Sequence, residues 1–211
     1  MTSKIAARIA SNHKRACATH AAFVETLYAR RDADAASKLA AGKTDKHGNP
    51  LGAAVEWDRC IKWATDDAAG AVRQIAALGR GFDFAGFVEA LRITTPGNPR
   101  YVQAKVAEKV VKFVSAVFTQ NAATATDYAV QVLYNALSND GELHIDDARA
   151  SLSRRCIGTD TATLATRGTY TTGTASSQAS QIRMLGLYLG FAEVIKGNRD
   201  DVLRVKPDLM N

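Results

Sequence analysis

The chain has 211 residues, 46% hydrophobic and 23% charged, with a net charge of +6; such a chain buries one good core or two small ones. No window nears the ~18 uninterrupted apolar residues of a membrane span, and no apolar signal core follows Met1, so a membrane partner is excluded and a cytoplasmic location expected. Cys17, Cys60 and Cys156 are few, odd in number and far apart, which argues against a disulfide framework.

Lys4 to about Ala40 predicts a helix with Ile5, Ile9, Ala16, Phe23 and Leu27 on one stripe and Lys4, Arg8 and Arg15 on another. Gly42 to Pro50 is a polar turn-rich loop. Ala53 to about Leu78 is again helical, with Val55, Ile61, Trp63, Val72 and Ile75 as core, and Gly79-Arg80-Gly81 breaks it. Asp83 can cap a short helix through Leu91, and Thr94 to Pro99 is a connector. Tyr101 to Phe118 is the cleanest amphipathic helix: Val102, Val106, Val110, Phe113 and Val117 form the buried stripe, and Lys105, Lys109 and Lys112 a basic one. Gln120 to Thr126 reads as a linker, placing a boundary between residues 1–122, a basic Ala-rich helical domain or arm, and residues 123–211. The first part holds 18 Lys/Arg against 11 Asp/Glu, a net of +7; the second holds 9 against 10, a net of −1.

The second part carries an ordered set of signals. Tyr128, Val132, Leu133 and Leu137 repeat at helical spacing until Asn139-Asp140-Gly141. Glu142 to Ile145 alternates like a short strand, and Asp146-Asp147 can cap and charge a second helix through Leu152. After a segment from Thr159 to Ser180 rich in Thr, Ser, Gly and Ala, Ser176 or Ser177 opens a third helix that ends near Gly190. Phe191 to Lys196 and Val202 to Lys206 then flank Gly197 to Asp201, a two-stranded hairpin.

That order, helix, strand, helix, helix, hairpin, resembles the winged helix-turn-helix superfamily. The resemblance covers the C-terminal part only and is topological, without a diagnostic motif. It implies a mainly α protein: an N-terminal helical domain followed by a winged-helix-like domain with a small β-hairpin. It also implies non-catalytic binding of double-stranded DNA by a homodimer, with no cofactor, as in regulators of transcription, replication or segregation. The third helix is then the one whose N-terminal residues meet base edges: Thr174, Ser176, Ser177, Gln178, Ser180 and Gln181, followed by Arg183. Gln suits adenine, Arg suits guanine, and Ser or Thr suit several bases or phosphate. Arg154, Arg155, Arg167 and Tyr170 of the preceding loop and Arg199 of the hairpin tip add donors. The basic stripes Lys4, Arg8, Lys14, Arg15 and Lys105, Lys109, Lys112 are expected to hold phosphates, the salt-dependent part of affinity.

The same residues support other readings. The gap of about 20 residues between the second and third helices exceeds the usual tight turn. Asp200 and Asp201 at the hairpin, with a neutral second half, suit a structural or protein-interaction module, as in a phage particle or an inhibitor complex. Glu193-Val194-Ile195-Lys196 with Asp160 has the acid and Lys pattern of a metal-dependent nuclease. His13, Cys17 and His20 share one helix face and with Cys60 make a four-ligand zinc set; no paired CxxC supports it. The acid-free first 24 residues look like a transit peptide, but the helix runs on through Phe23 and Leu27 into the fold. Gly42-Lys43-Thr44 is no phosphate-binding loop, since Ser37 stands where the motif needs its first glycine.

Overall fold

The structure, a computed structural model, describes residues 2–66, 82–119, 127–139, 141–153, 170–190, 192–196 and 201–205. Among these it is mainly helical. The helices are α1 (Thr2–Ala40), α2 (Val55–Asp66), α3 (Phe84–Leu91), α4 (Ala104–Thr119), α5 (Tyr128–Asn139), α6 (Ile145–Leu152) and α7 (Thr172–Tyr188). Strands β1 (Glu142–His144), β2 (Ala192–Lys196) and β3 (Asp201–Val205) form one antiparallel sheet in the order β1-β3-β2. No described helix is long and apolar enough to cross a membrane. Two compact units emerge, Met1–Gly79 with Phe84–Glu108, and Arg80–Asp83 with Lys109–Asn211. The change of unit therefore falls inside α4. Residues 67–81 and 120–126, including the expected core positions Val72 and Ile75, lie outside the described residues.

In the first unit α1 is continuous because no Gly or Pro interrupts residues 2–40. It stops where Gly42 takes φ +62, a left-handed conformation that glycine adopts without strain, and Lys43 N–H reaches back to the Lys38 carbonyl at 3.0 Å. The following loop folds on Asp45, whose carboxylate accepts the N–H groups of His47 and Asn49. Those donors, Asn49 first, hold its carboxyl below the usual carboxylate range.

Phe23, Leu27, Trp57, Cys60, Phe84, Phe87 and Leu91 fill this unit's core, with Phe23 edge-on to Phe84 at 5.1 Å between ring centres. Val55, expected in the core from its spacing, is instead 53% exposed at the first position of α2. Arg30 is buried among these rings. Its guanidinium donates to the carbonyls of Leu91, Ile93 and Val102 and stacks between Trp57 and Tyr101, 5.2 and 4.5 Å from the ring centres. One planar cation thus satisfies carbonyls at the end of α3 and in the connector before α4, where helix ends leave acceptors unpaired.

A lysine at position 30 keeps the charge but loses both the planar fork and the stacking. We expect Arg30→Lys to lower unfolding free energy by about 3 kcal/mol, read as a reduced urea midpoint; an unchanged midpoint would contradict this role.

Candidate nucleic-acid interface

The second unit is built around α7. Ala175, Ala179, Ile182, Leu185 and Leu189 are buried at helical spacing, and each fully buried Leu or Ile contributes about 1.5–3 kcal/mol. The helix opens earlier than the sequence suggests, at Thr172. Thr171, in extended conformation, caps it by accepting the Thr174 N–H, a contact worth about 1 kcal/mol. Ser176 and Ser177 therefore sit in the second turn. At the other end Gly190 has φ +63, and the Asp83 N–H donates to the Leu189 carbonyl at 2.8 Å. A Cβ at Gly190 would lie 3.2 Å from Asp83 Cβ, so both backbone conformation and space select glycine there.

α5 and α6 support α7 from the other side. Asp127 Oδ1 accepts the N–H groups of Ala129 and Val130, at 3.0 and 3.3 Å, and so caps α5. Its Oδ2 accepts from Lys109 Nζ at 2.5 Å, with Lys112 Nζ at 4.0 Å. In α6 the cap position is His144, which makes no side-chain cap bond. Asp146 and Asp147 lie in the first turn, so they act on the helix charge rather than as caps.

Strand register fixes the sheet's two faces. Leu143, Leu203 and Val194 align across β1-β3-β2, with Leu143 and Leu203 buried. Glu142, Arg204 and Glu193 align on the opposite face, where Arg204 Nε bonds Glu142 Oε1. By the two-residue period Asp201 shares the Leu203 face. Its Oδ2 lies 3.0 Å from Arg183 Nε, an ion pair set off the N–H axis, so that the buried Nε makes no aligned hydrogen bond. Asp201, expected as a bare acid at the hairpin tip, is thus partly neutralised within the fold.

The residues expected to read or hold nucleic acid divide clearly. Thr174, Ser176, Ser177 and Ser180 are exposed on α7. Gln178 and Gln181 are half-buried, with amide oxygens that are buried and take no hydrogen bond among the described residues; Gln181 donates its amide to Ser177 Oγ at 3.5 Å. Pairing with adenine uses amide oxygen and nitrogen together, so this arrangement does not present that edge. Arg183 is half-buried and engaged by Asp201.

Lys105 and Arg15 are exposed, as is Lys14. Lys109 is not a phosphate contact: its side chain is 4% exposed and bonded to Asp127. Position 109 falls three residues after Val106 and four before Phe113, so it lies on the apolar stripe, a signal the charge pattern masks. Lys112 is also drawn toward Asp127. Tyr170 forms an isolated bridge with Ser153 just before α7. Arg154, Arg155, Arg167 and Arg199 lie outside the described residues, as do the side chains of Lys4 and Arg8.

The metal readings fare differently. His20 Nε2 is 3.0 Å from the Ala64 carbonyl and Cys60 is buried, so the zinc set His13, Cys17, His20 and Cys60 is not assembled. Among the described residues no group of three or more His, Cys, Asp or Glu side chains is arranged to hold a metal ion. Glu193 is exposed, while Asp160 and the Lys196 side chain lie outside the described residues. Comparison with known proteins finds no matching family model, curated protein or solved structure.

Asp127→Ala leaves the Lys109 ammonium buried beside no carboxylate, a loss of about 3–5 kcal/mol, whereas after Lys109→Met the Asp127 carboxylate keeps the Ala129 and Val130 N–H groups and has Lys112 nearby. We therefore expect Asp127→Ala, which strands Lys109 and uncaps α5, to cost at least twice what Lys109→Met costs in chemical denaturation. Equal losses would show that the pair does not organise this unit.

Proposed function

We propose that the C-terminal unit is a winged-helix-like module that binds double-stranded DNA without catalysis, with α7 as the element that enters the major groove. The observation carrying this reading is the element order α5-β1-α6-α7-β2-β3 with sheet order β1-β3-β2, in which α7 turns an uncharged hydroxyl face, Thr174, Ser176, Ser177 and Ser180, to solvent. Small hydroxyl side chains let a helix approach bases and phosphates closely while donating and accepting. Arg183 is the single charged residue of α7. Attraction to phosphates then depends on cations elsewhere, Lys105, Lys14 and Arg15 among the exposed ones. A dimer reading two half-sites fits this class of module.

A second reading, a protein-docking module, is favoured by one feature. The outward face of α7 ends in Leu187, 41% exposed, and Arg183 is already engaged by Asp201. Such a face suits an uncharged protein groove as well as a nucleic acid.

Fluorescence anisotropy against a duplex of random sequence, repeated across salt concentrations, separates the two. DNA binding predicts that log affinity falls linearly with log salt, with a slope of about −0.9 per phosphate neutralised. Ser177→Glu, at an exposed position, is expected to weaken binding at least tenfold by placing a carboxylate against phosphates, about 1.4 kcal/mol. Absence of binding at low salt, or equal binding by Ser177→Glu, would overturn the DNA reading of α7.

A further inference from the structure

α1 carries a pair of metal-ligating side chains that the DNA reading does not use. His13 Nε2 and Cys17 Sγ lie 3.6 Å apart, one helical turn from each other. His13 is exposed and Cys17 half-exposed, so both are open to solvent. Zinc binds sulfur at about 2.3 Å and imidazole nitrogen at about 2.0–2.1 Å, and tetrahedral geometry then separates the two ligand atoms by about 3.5 Å. The pair already stands at the span that one zinc ion requires. His and Cys are also the two side chains that zinc selects over harder, oxygen-liking cations.

Two ligands do not close a tetrahedral site, and among the described residues no third stands at that place. His20, three residues on, is tied by Nε2 to the Ala64 carbonyl, and Cys60 is buried. A second copy presents the same His13 and Cys17 with the same spacing. We infer that His13 and Cys17 form a zinc half-site, and that two copies of the chain share one zinc ion through a His2Cys2 set contributed by both α1 helices.

The local surface fits such a contact. At about 100° per residue, Arg15 projects to the side opposite the His13–Cys17 face and Lys14 to its flank, so neither cation stands between the two helices. Ala10, one turn before His13, is exposed and small, so no bulky side chain stands between the helices there. Binding converts each Cys17 thiol to a thiolate and releases its proton, and two thiolates balance the charge of the ion. The inference is independent of the nucleic-acid reading.

The test uses the reduced full chain, with Zn²⁺ titrated against a chromophoric chelator, Co²⁺ as a spectroscopic substitute, and sedimentation to read mass. The expected result is one metal per two chains, doubling of mass with metal, and a thiolate-to-cobalt charge-transfer band. Cys17→Ser should abolish the band and His13→Ala should return the protein to monomer. Each should weaken zinc by more than the roughly 10–100-fold that loss of an outer partner costs. Both positions are open to solvent, and circular dichroism checks that the helices persist. A band that survives Cys17→Ser, one metal per chain without change of mass, or no zinc binding by the wild type would each overturn the inference.

Discussion

Asp127 is the residue on which the C-terminal unit turns. One oxygen caps α5 and the other holds the buried ammonium of Lys109, so a single carboxylate joins two helices and satisfies a charge that burial alone makes costly. The pairing constrains where α5 begins. From α5 follow β1, then α6, and against them the buried stripe of α7. A cation that looks like surface charge in the sequence is therefore spent on architecture. The phosphate-binding capacity that a count of lysines suggests for α4 is correspondingly smaller.

The presentation of α7 follows from the same economy. Its inner face is Ala, Ile and Leu packed at helical spacing, its start is capped by Thr171, and its end is fixed by Gly190 and the Asp83 N–H. What remains outside is hydroxyl and small as far as Leu187, which is 41% exposed. Such a face makes short contacts with little long-range attraction, since nothing on it steers a polyanion from a distance. The Arg183–Asp201 pair adds a link between α7 and β3; both side chains are one-third exposed, so its stabilising value is near that of a surface pair, about 0–1 kcal/mol. Its larger effect is on availability, because any anion approaching α7 would have to compete with Asp201 for that guanidinium.

Much of this fold was legible in the sequence, and what was missed has identifiable causes. The helices came from apolar periodicity and Gly or Pro breaks, and the helix, strand, helix, helix, hairpin order came from short-range turn chemistry. Gly141 and Gly190 both adopt the positive φ expected of helix-stopping glycines. The start of α7 was misplaced because Thr171, Thr172 and Thr174 look alike, and only geometry shows that Thr171 is the cap. Spacing alone places Val55 in the core, but it is the first residue of α2 and faces solvent. Charge alone places Lys109 and Asp201 at the surface. Their positions on apolar faces, three and four residues from valine and phenylalanine in one case and two from Leu203 in the other, held the opposite information. Partners distant in sequence, such as Arg30 with the Leu91 and Val102 carbonyls, leave no local pattern at all.

The central claim is that α7 itself enters the groove. Amide chemical-shift mapping of the isotopically labelled full chain, titrated with a random-sequence duplex at low salt, tests it most directly. The account predicts the largest changes at Thr174, Ser176, Ser177 and Ser180, with smaller ones at Lys14, Arg15 and Lys105. Shifts confined to the basic helices, with α7 unperturbed at saturating duplex, would contradict it.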